Sequence, residues 1–400
     1  MTEALPAHRA RVWIAAGLLI VASYAFGIGA DVKGTAMIAI EAAMFALGAV
    51  FFAVGATRQI AGGRLYVAVA LVMLATLLLL IMVHEPGIAG EVRFGLFRVG
   101  ADGTSAFGPW ADPPAAGFWF KAVGVWLAAW MAVDQLADRR AATPGAQRVL
   151  DIAVPVLFGA FLFVIWEWVT IGFGVPGVLM PAPSAIGSAI AGSVPILVQD
   201  FVQTFVRSVI VGWALGSGLG FAVAIIADRV PFLRRGLLPL GNFVAALPII
   251  GIAPIMVMWF GFDWHSKVAV VVVMTFFPML VNTVTGLEAA GRLERDLMRS
   301  YGASYWSTML SLRLPAAMPF VFNALKINST LALIGAIVAE FFGTPIVGMG
   351  FRISTEVGRM ALDMVWAEIA VAAVAGSAFY GIIALVERAV TFWHPSYRRA

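Results

Sequence analysis

Stretches of about twenty predominantly apolar residues recur along the whole of this 400-residue chain. Nothing constrains its fold more, because ~20 helical residues are what it takes to cross the ~30 Å hydrocarbon layer of a bilayer. The runs are continuous and do not alternate apolar with polar in ten-residue units, which disfavours a β-barrel. Composition agrees: 62% of the residues are hydrophobic and 12% are charged, against roughly a quarter charged in ordinary soluble proteins. The expected fold class is therefore all-α, a polytopic membrane protein with about ten transmembrane helices. Spans are placed near 12–30, 36–56, 65–83, 117–137, 150–173, 201–227, 236–261, 266–287, 317–342 and 364–386.

Ten spans put both termini on one side, and the basic residues choose the side. With the N-terminus inside, the cytoplasmic segments hold seventeen arginines, among them Arg9, Arg139, Arg140, Arg234, Arg235, Arg292, Arg295 and Arg299. The outer segments hold only six basic residues, Lys33, Arg93, Arg98, Lys267, Arg352 and Arg359. That asymmetry predicts an N-in, C-in arrangement. It also accounts for the net charge of +4 without a nucleic-acid partner. The leading MTEALPAHRARVW enters an apolar run without a clear small-residue cleavage site, so it reads as a retained first span. No cysteine is present, which excludes disulfides, thiolate nucleophiles and cysteine metal sites.

DRRAATPGAQR (138–148) is short, charged and Pro/Gly-containing, a linker between four N-terminal spans and six that follow. The division expected is a four-span accessory region at 1–145 and a six-span region at 146–400. In the outer segment 84–116, VRFGLFRV followed by ADG could form a β-hairpin, or a plain surface loop.

One polar insert lies between two of the most apolar runs, GLEAAGRLERDLMRSYGASYWSTMLSLRLP at 286–315. Arg292 to Ser300 is rich in helix formers, with Leu293, Leu297 and Met298 within helical reach. Gly302 should end that helix by adopting positive φ. Ser304 can cap a second short helix carrying Tyr305, Trp306, Met309 and Leu310, and Leu314-Pro315 opens the next span. Two short helices around a glycine elbow would present aromatic and thioether side chains to the cytoplasm. Such a surface suits either a soluble partner or the lipid headgroups.

The insert, with other motifs, resembles the permease subunits of binding-protein-dependent ABC importers. Their loop pattern is E-A-A, three residues, Gly, nine residues, Ile, one residue, Leu-Pro. Anchored on Gly302, it falls on Asp296-Leu297-Met298, then Tyr301, Gly302, Ala303 and Ser304, with Trp306 following, and on Leu312 and Leu314-Pro315. The literal Glu288-Ala289-Ala290 is out of register, since its glycine would be Glu294. Leu-Met in place of Ala-Ala is a departure. The resemblance covers roughly 150–395 and includes PAPS (181–184), TFVR (204–207), LPIIGIAPIMVMWFG (247–261), NTVTGL (282–287), GASYW (302–306), LPAAMP (314–319), ALKI (324–327) and AEFFG (339–343). It is closest to the nitrate/sulfonate/taurine branch, which also holds carriers of thiamine-pyrimidine precursors.

The resemblance implies a six-span type I importer core, with coupling helices at about 288–313 that dock in a cytoplasmic ABC ATPase dimer. It further implies a second permease subunit, the same or a paralogue, and a periplasmic or lipid-anchored binding protein. Rigid-body switching of the pore would follow nucleotide-driven closure. The chain itself lacks a Gly-Lys-Ser/Thr placement at any of Lys33, Lys121, Lys267 or Lys326, so no phosphate-cradling loop of its own is expected. No cofactor or metal is expected.

Polar groups inside spans are candidate substrate-path residues, each with a structural alternative. Arg207 lines a water-filled path, finds a partner, or snorkels to the headgroups. Lys326 snorkels or forms an ion pair. Asn323, Asn328 and Thr330 line the path or join helices by hydrogen bonds. Glu340 faces a gate or is solvated at a helix end. Pro248 and Pro254 should kink span seven and free carbonyls that need protein or water to satisfy them. Glu41 and Glu167 read as packing or interfacial charges. A membrane enzyme is opposed by the scattered His8, His84, His265 and His394. An ion-coupled carrier without an ATPase is opposed by the sparse intramembrane carboxylates.

Overall fold

The computed structural model describes residues 6–23, 35–57, 64–84, 95–99, 105–110, 113–245, 248–343 and 346–393. The end of span one, Lys33, Arg58, Arg93, Leu247 and residues 394–400 fall outside them. The chain divides into two compact units, Met1–Ala185 and Ile186–Ala400.

The first unit holds α1 (Ala7–Ala22), α2 (Thr35–Thr57), α3 (Arg64–His84), a hairpin of β1 (Gly95–Val99) and β2 (Ser105–Trp110), α4 (Pro113–Ala137) and α5 (Pro144–Gly172). The hairpin alternative for the outer segment is the one adopted, with Phe97 opposite Phe107. Trp13, Ile20, Phe51, Leu79 and Phe118 are fully buried and form the core of this bundle. α1 can approach α2 closely because Gly17 faces its backbone; a Cβ there would stand 2.4 Å from the Phe52 amide nitrogen. Charges inside the bundle are matched. Lys121, 1% exposed, pairs with Glu41 at 2.8 Å. Buried Glu167 accepts from the Ser184 amide at 2.9 Å and hydroxyl at 2.5 Å and bonds His84 Nε2 at 2.9 Å. Both carboxylates act as packing charges. At the linker, Thr143 caps α5 by accepting from the Ala146 amide, and Pro144 takes the first turn.

The second unit begins within α6 (Pro183–Gly192). It holds α7 (Val194–Arg229), α8 (Pro231–Ala245), α9 (Ile249–Phe260), α10 (Trp264–Glu288), α11 (Arg292–Ser300), α12 (Tyr305–Glu340), α13 (Met349–Gly358) and α14 (Leu362–Val390). α10 sits between α7 and α12. Its contact with α7 runs along Gly212, Gly216 and Gly220, one turn apart. A Cβ on Gly216 would stand 2.9 Å from the Val272 backbone, and one on Gly220 2.4 Å from the Phe276 carbonyl. In lipid, where apolar burial gives helices no mutual drive, small residues that let backbones approach are what hold a pair together.

One expectation needs correction, and the count of spans is met in part: among the described residues seven helices are long and apolar enough to span, Ala39–Ala56, Leu65–His84, Pro144–Gly172, Val194–Arg229, Trp264–Glu288, Tyr305–Glu340 and Leu362–Val390. α1 has 16 described residues, and α4 is diluted by Lys121, Asp134 and several tryptophans. The expected span seven is not a kinked helix but two helices, α8 and α9, neither of spanning length. Pro248 caps the start of α9 in extended conformation (ψ 121°), a position where its missing amide hydrogen costs no helical bond. Pro254 is accommodated inside α9.

Candidate functional site

The polar insert folds locally, as its residue order demands. α11 spans Arg292–Ser300 and ends at Gly302, whose φ is +67°. The Ala303 amide donates to the Met298 carbonyl at 3.0 Å and the Gly302 amide to that of Arg299 at 2.9 Å. This pair of crossed bonds is the Schellman closure, which needs a left-handed residue at its turn. Ser304 then accepts from the Ser307 amide at 3.2 Å, starting the next helical segment. That segment is not a separate helix, as expected, but the first turn of α12. It passes through a π-helical stretch, Met309–Arg313, into Leu314-Pro315 without a break.

The two arms differ in how they are held. No residue of α11 is buried, and Leu293 and Tyr301 are each 81% exposed. Leu297 and Trp306 are also exposed, as are Asp296 and Gly302; Met298 and Ala303 are partly covered. The α12 arm is fixed at its root. Arg313 makes a bidentate pair with Asp228 at the end of α7, 2.7 Å on each side, and donates to the Leu287 carbonyl. The Tyr305 hydroxyl donates to the same Asp228 at 2.9 Å, and the Arg229 guanidinium lies 4.5 Å from the Tyr305 ring centroid. Arg234 of α8 pairs with Glu288 at the end of α10. The glycine elbow thus joins an uncovered helix to a root bonded to α7, α10 and α12. Asp228 was missed in the sequence. Its only signal is a carboxylate at the cytoplasmic end of an apolar run, which normally reads as solvated.

The polar residues of α12 separate into two faces. Asn328 is fully buried and donates to the Ser217 hydroxyl of α7 (2.9 Å) and the Thr275 carbonyl of α10 (2.7 Å). It joins three helices. Asn323 and Thr330 lie on the opposite, exposed stripe with Ile327 and Ile334. Lys326 is ion-paired, 2.7 Å from Glu387 of α14. Arg207 is exposed and donates to Gln203 within the π-helical stretch Val202–Ile210 of α7.

Glu340 is neither solvated nor at a frayed helix end; it is 2% exposed. With Asp200 and Thr204 of α7 it receives the first amides of α13: Gly348 donates to Asp200 (2.6 Å), Met349 to Thr204 (2.8 Å) and Gly350 to Glu340 (2.7 Å). Arg352 completes the cluster, 2.9 Å from Asp200. Acidic groups at a helix N-terminus meet both its unpaired amides and its dipole. Pro248 is exposed and Pro254 half-buried, and the flank of α9 is strongly uncovered, with Met258 82% and Trp259 72% exposed. Among the described residues no His, Asp or Glu cluster could hold a metal ion.

Residues 216–392 match the family model of the binding-protein-dependent transport system inner membrane component. The chain is 34% identical over 189 residues to the formylaminopyrimidine transport permease ThiX of Halalkalibacterium halodurans, covering 47% of this chain and 75% of that one. It is 27% identical over 236 residues to the riboflavin transport permease RibX of Chloroflexus aurantiacus, 59% of this chain and 88% of that one. It is 26% identical over 175 residues to the taurine transport permease TauC of Escherichia coli, 44% of this chain and 63% of that one. With its long apolar helices and its glycine-elbow insert, the chain belongs to this family: it is a multi-pass inner-membrane permease subunit of a binding-protein-dependent ABC transporter, and not itself the ATPase.

Proposed function

We propose that this permease forms half of a translocation pore and couples ATP hydrolysis in a separate cytoplasmic ATPase dimer to uptake of a small solute. The observation that carries the reading is the Gly302 elbow, with an uncovered α11 on one side and the Asp228–Arg313–Tyr305 clamp on the other. Asp296, Leu297, Met298 and Tyr301 to Ser304, with Trp306, meet the ATPase, and Leu314-Pro315 carries the movement into α12. Both termini and the elbow face the cytoplasm, residues 146–400 form the core, in which α8 and α9 together take the place of its sixth span, and residues 1–145 are accessory. A second permease copy or paralogue covers the exposed flank of α9, so that Pro248 and Pro254, with Arg207, border the path. Cargo arrives on a periplasmic or lipid-anchored binding protein. Of the cargo classes open to this branch, a thiamine-pyrimidine precursor has the support of the 34% identity to a formylaminopyrimidine permease, ahead of a sulfonate or nitrate.

The test is co-expression with a candidate ATPase and binding protein, reconstitution in liposomes, and measurement of formylaminopyrimidine and taurine accumulation with and without ATP. Accumulation should require ATP and the binding protein. Accumulation by the permease alone on an ion gradient would replace this reading with an ion-coupled carrier.

A further inference from the structure

Two cavities lie one above the other in the groove between α12 and α14. The upper, about 590 Å³, is walled by Leu333, Ile337 and Ile369 and carries the hydroxyls of Thr330, Ser377 and Tyr380. The lower, about 630 Å³, is walled by Ala378, Gly381 and Leu385 and ends at the Lys326–Glu387 pair and Arg388. Neighbouring turns line the two, Lys326 below Thr330 on α12 and Gly381 below Ser377 on α14, so they adjoin end to end, and together they are called the slot. Down the slot the chemistry runs from aliphatic, through hydroxyl, to basic.

The depth of the basic end follows from helix length. α14 has 29 residues, about 43 Å at 1.5 Å per residue, well beyond the ~30 Å hydrocarbon layer. Glu387 and Arg388 occupy its last turn, so they reach the headgroup layer at the end of the bundle that carries the α11 elbow. Phe392 and Trp393, both exposed, follow immediately, as aromatic side chains do at that level. From Gly376 to Arg388 the helix rises about 18 Å, close to one leaflet. Lys326 and Glu387 neutralise each other. Arg388 is exposed, and among the described residues no carboxylate lies within ion-pair distance of it, so among them its positive charge at the end of the slot has no counter-charge.

We infer that the α12–α14 slot binds an anionic glycerophospholipid of the elbow-side leaflet, phosphate on Arg388, ester region on the Thr330, Ser377 and Tyr380 hydroxyls, and acyl chain along the Ile337–Ile369 wall. The charge at the mouth selects an anionic headgroup over a zwitterionic one. Thr330 then serves a lipid and not the cargo. The site also places a lipid against α12, the helix through which the elbow acts.

The full-length chain, purified in mild detergent, is examined by native mass spectrometry with phosphatidylglycerol or phosphatidylcholine of identical acyl chains, and with inorganic phosphate. Phosphatidylglycerol should be retained at least about fivefold over phosphatidylcholine, the selectivity one basic residue supplies near a membrane surface, and phosphate should not displace it. Arg388→Gln should remove that selectivity. Gly381→Leu should expel both lipids without unfolding the chain, because a Cβ at Gly381 meets nothing within 4 Å. Equal retention of the two lipids by the unaltered chain overturns the proposal, and so does displacement by phosphate, which would mark a free-anion site. Ser377→Cys provides the remaining arm in this cysteine-free chain. Disulfide-linked dimers formed in native membranes would assign the slot to a second copy and overturn the lipid.

Discussion

Replacing Gly302 with valine tests the elbow at the point where its geometry is most demanding. Gly302 has φ +67°, a conformation that costs an L-residue about 1–2 kcal/mol, and a β-branched side chain sits at the upper end. The cost is purely one of backbone conformation, because a Cβ placed there meets no atom within 4 Å. Relief comes by opening the turn, which gives up the Gly302–Arg299 and Ala303–Met298 bonds but disturbs no burial, since α11 has no buried residue. A change of 1–2 kcal/mol moves a two-state population roughly 5–30-fold, so a substantial fraction of molecules should hold α11 at the wrong angle. Membrane insertion and melting temperature should stay as in the unaltered chain, while ATPase capture and uptake-coupled ATP turnover fall. Asparagine, which tolerates left-handed backbone, should be the mildest replacement and alanine intermediate. Undiminished coupling in the valine variant would refute the reasoning. An equal loss across all three would too, because the loss would then have nothing to do with φ.

Asp228→Ala removes the acceptor shared by Arg313 and Tyr305; breaking a largely buried pair costs about 3–5 kcal/mol, and coupled ATP turnover should drop along with thermal stability in detergent. Gly216→Val should push α7 off α10, because the added Cβ would overlap Thr275 and stand 2.9 Å from the Val272 backbone; melting should fall by several degrees and protease sensitivity of the second unit should rise. Asn328→Leu removes two interhelical bonds at ~0.6 kcal/mol each, so melting should shift slightly with cargo preference unchanged; altered preference at constant stability would return Asn328 to the path.

The glycine elbow was legible because its determinants are local. Helix formers, a left-handed turn residue and a capping serine act within a few residues of one another, and Arg292, Gly302 and Ser304 hold the structural positions expected of them, whereas Pro315 lies inside α12 and not at its start. The Gly212, Gly216 and Gly220 spacing was equally available as a small-residue contact stripe and went unread among the apolar residues around it. Span seven was expected to be one helix kinked at Pro248 and Pro254, and the structure starts a separate helix at Pro248 instead. A proline is accommodated inside a helix, as Pro254 is, or just before its first turn, as Pro248 is, and the run of residues alone did not say which.

Sequence alone determined that the chain enters a bilayer, where polar inserts must lie, and where the backbone turns at Gly302. Those are consequences of transfer free energy and local conformational preference, both carried by neighbouring residues. Only tertiary structure decided that Asp228 holds Arg313 from 85 residues away. It also decided that Asn328 joins helices while Thr330 faces out, and that Glu340 closes the N-terminus of α13. A buried polar group takes whatever partner the packing brings within 3 Å, and packing is a property of the assembled helices, not of any one segment.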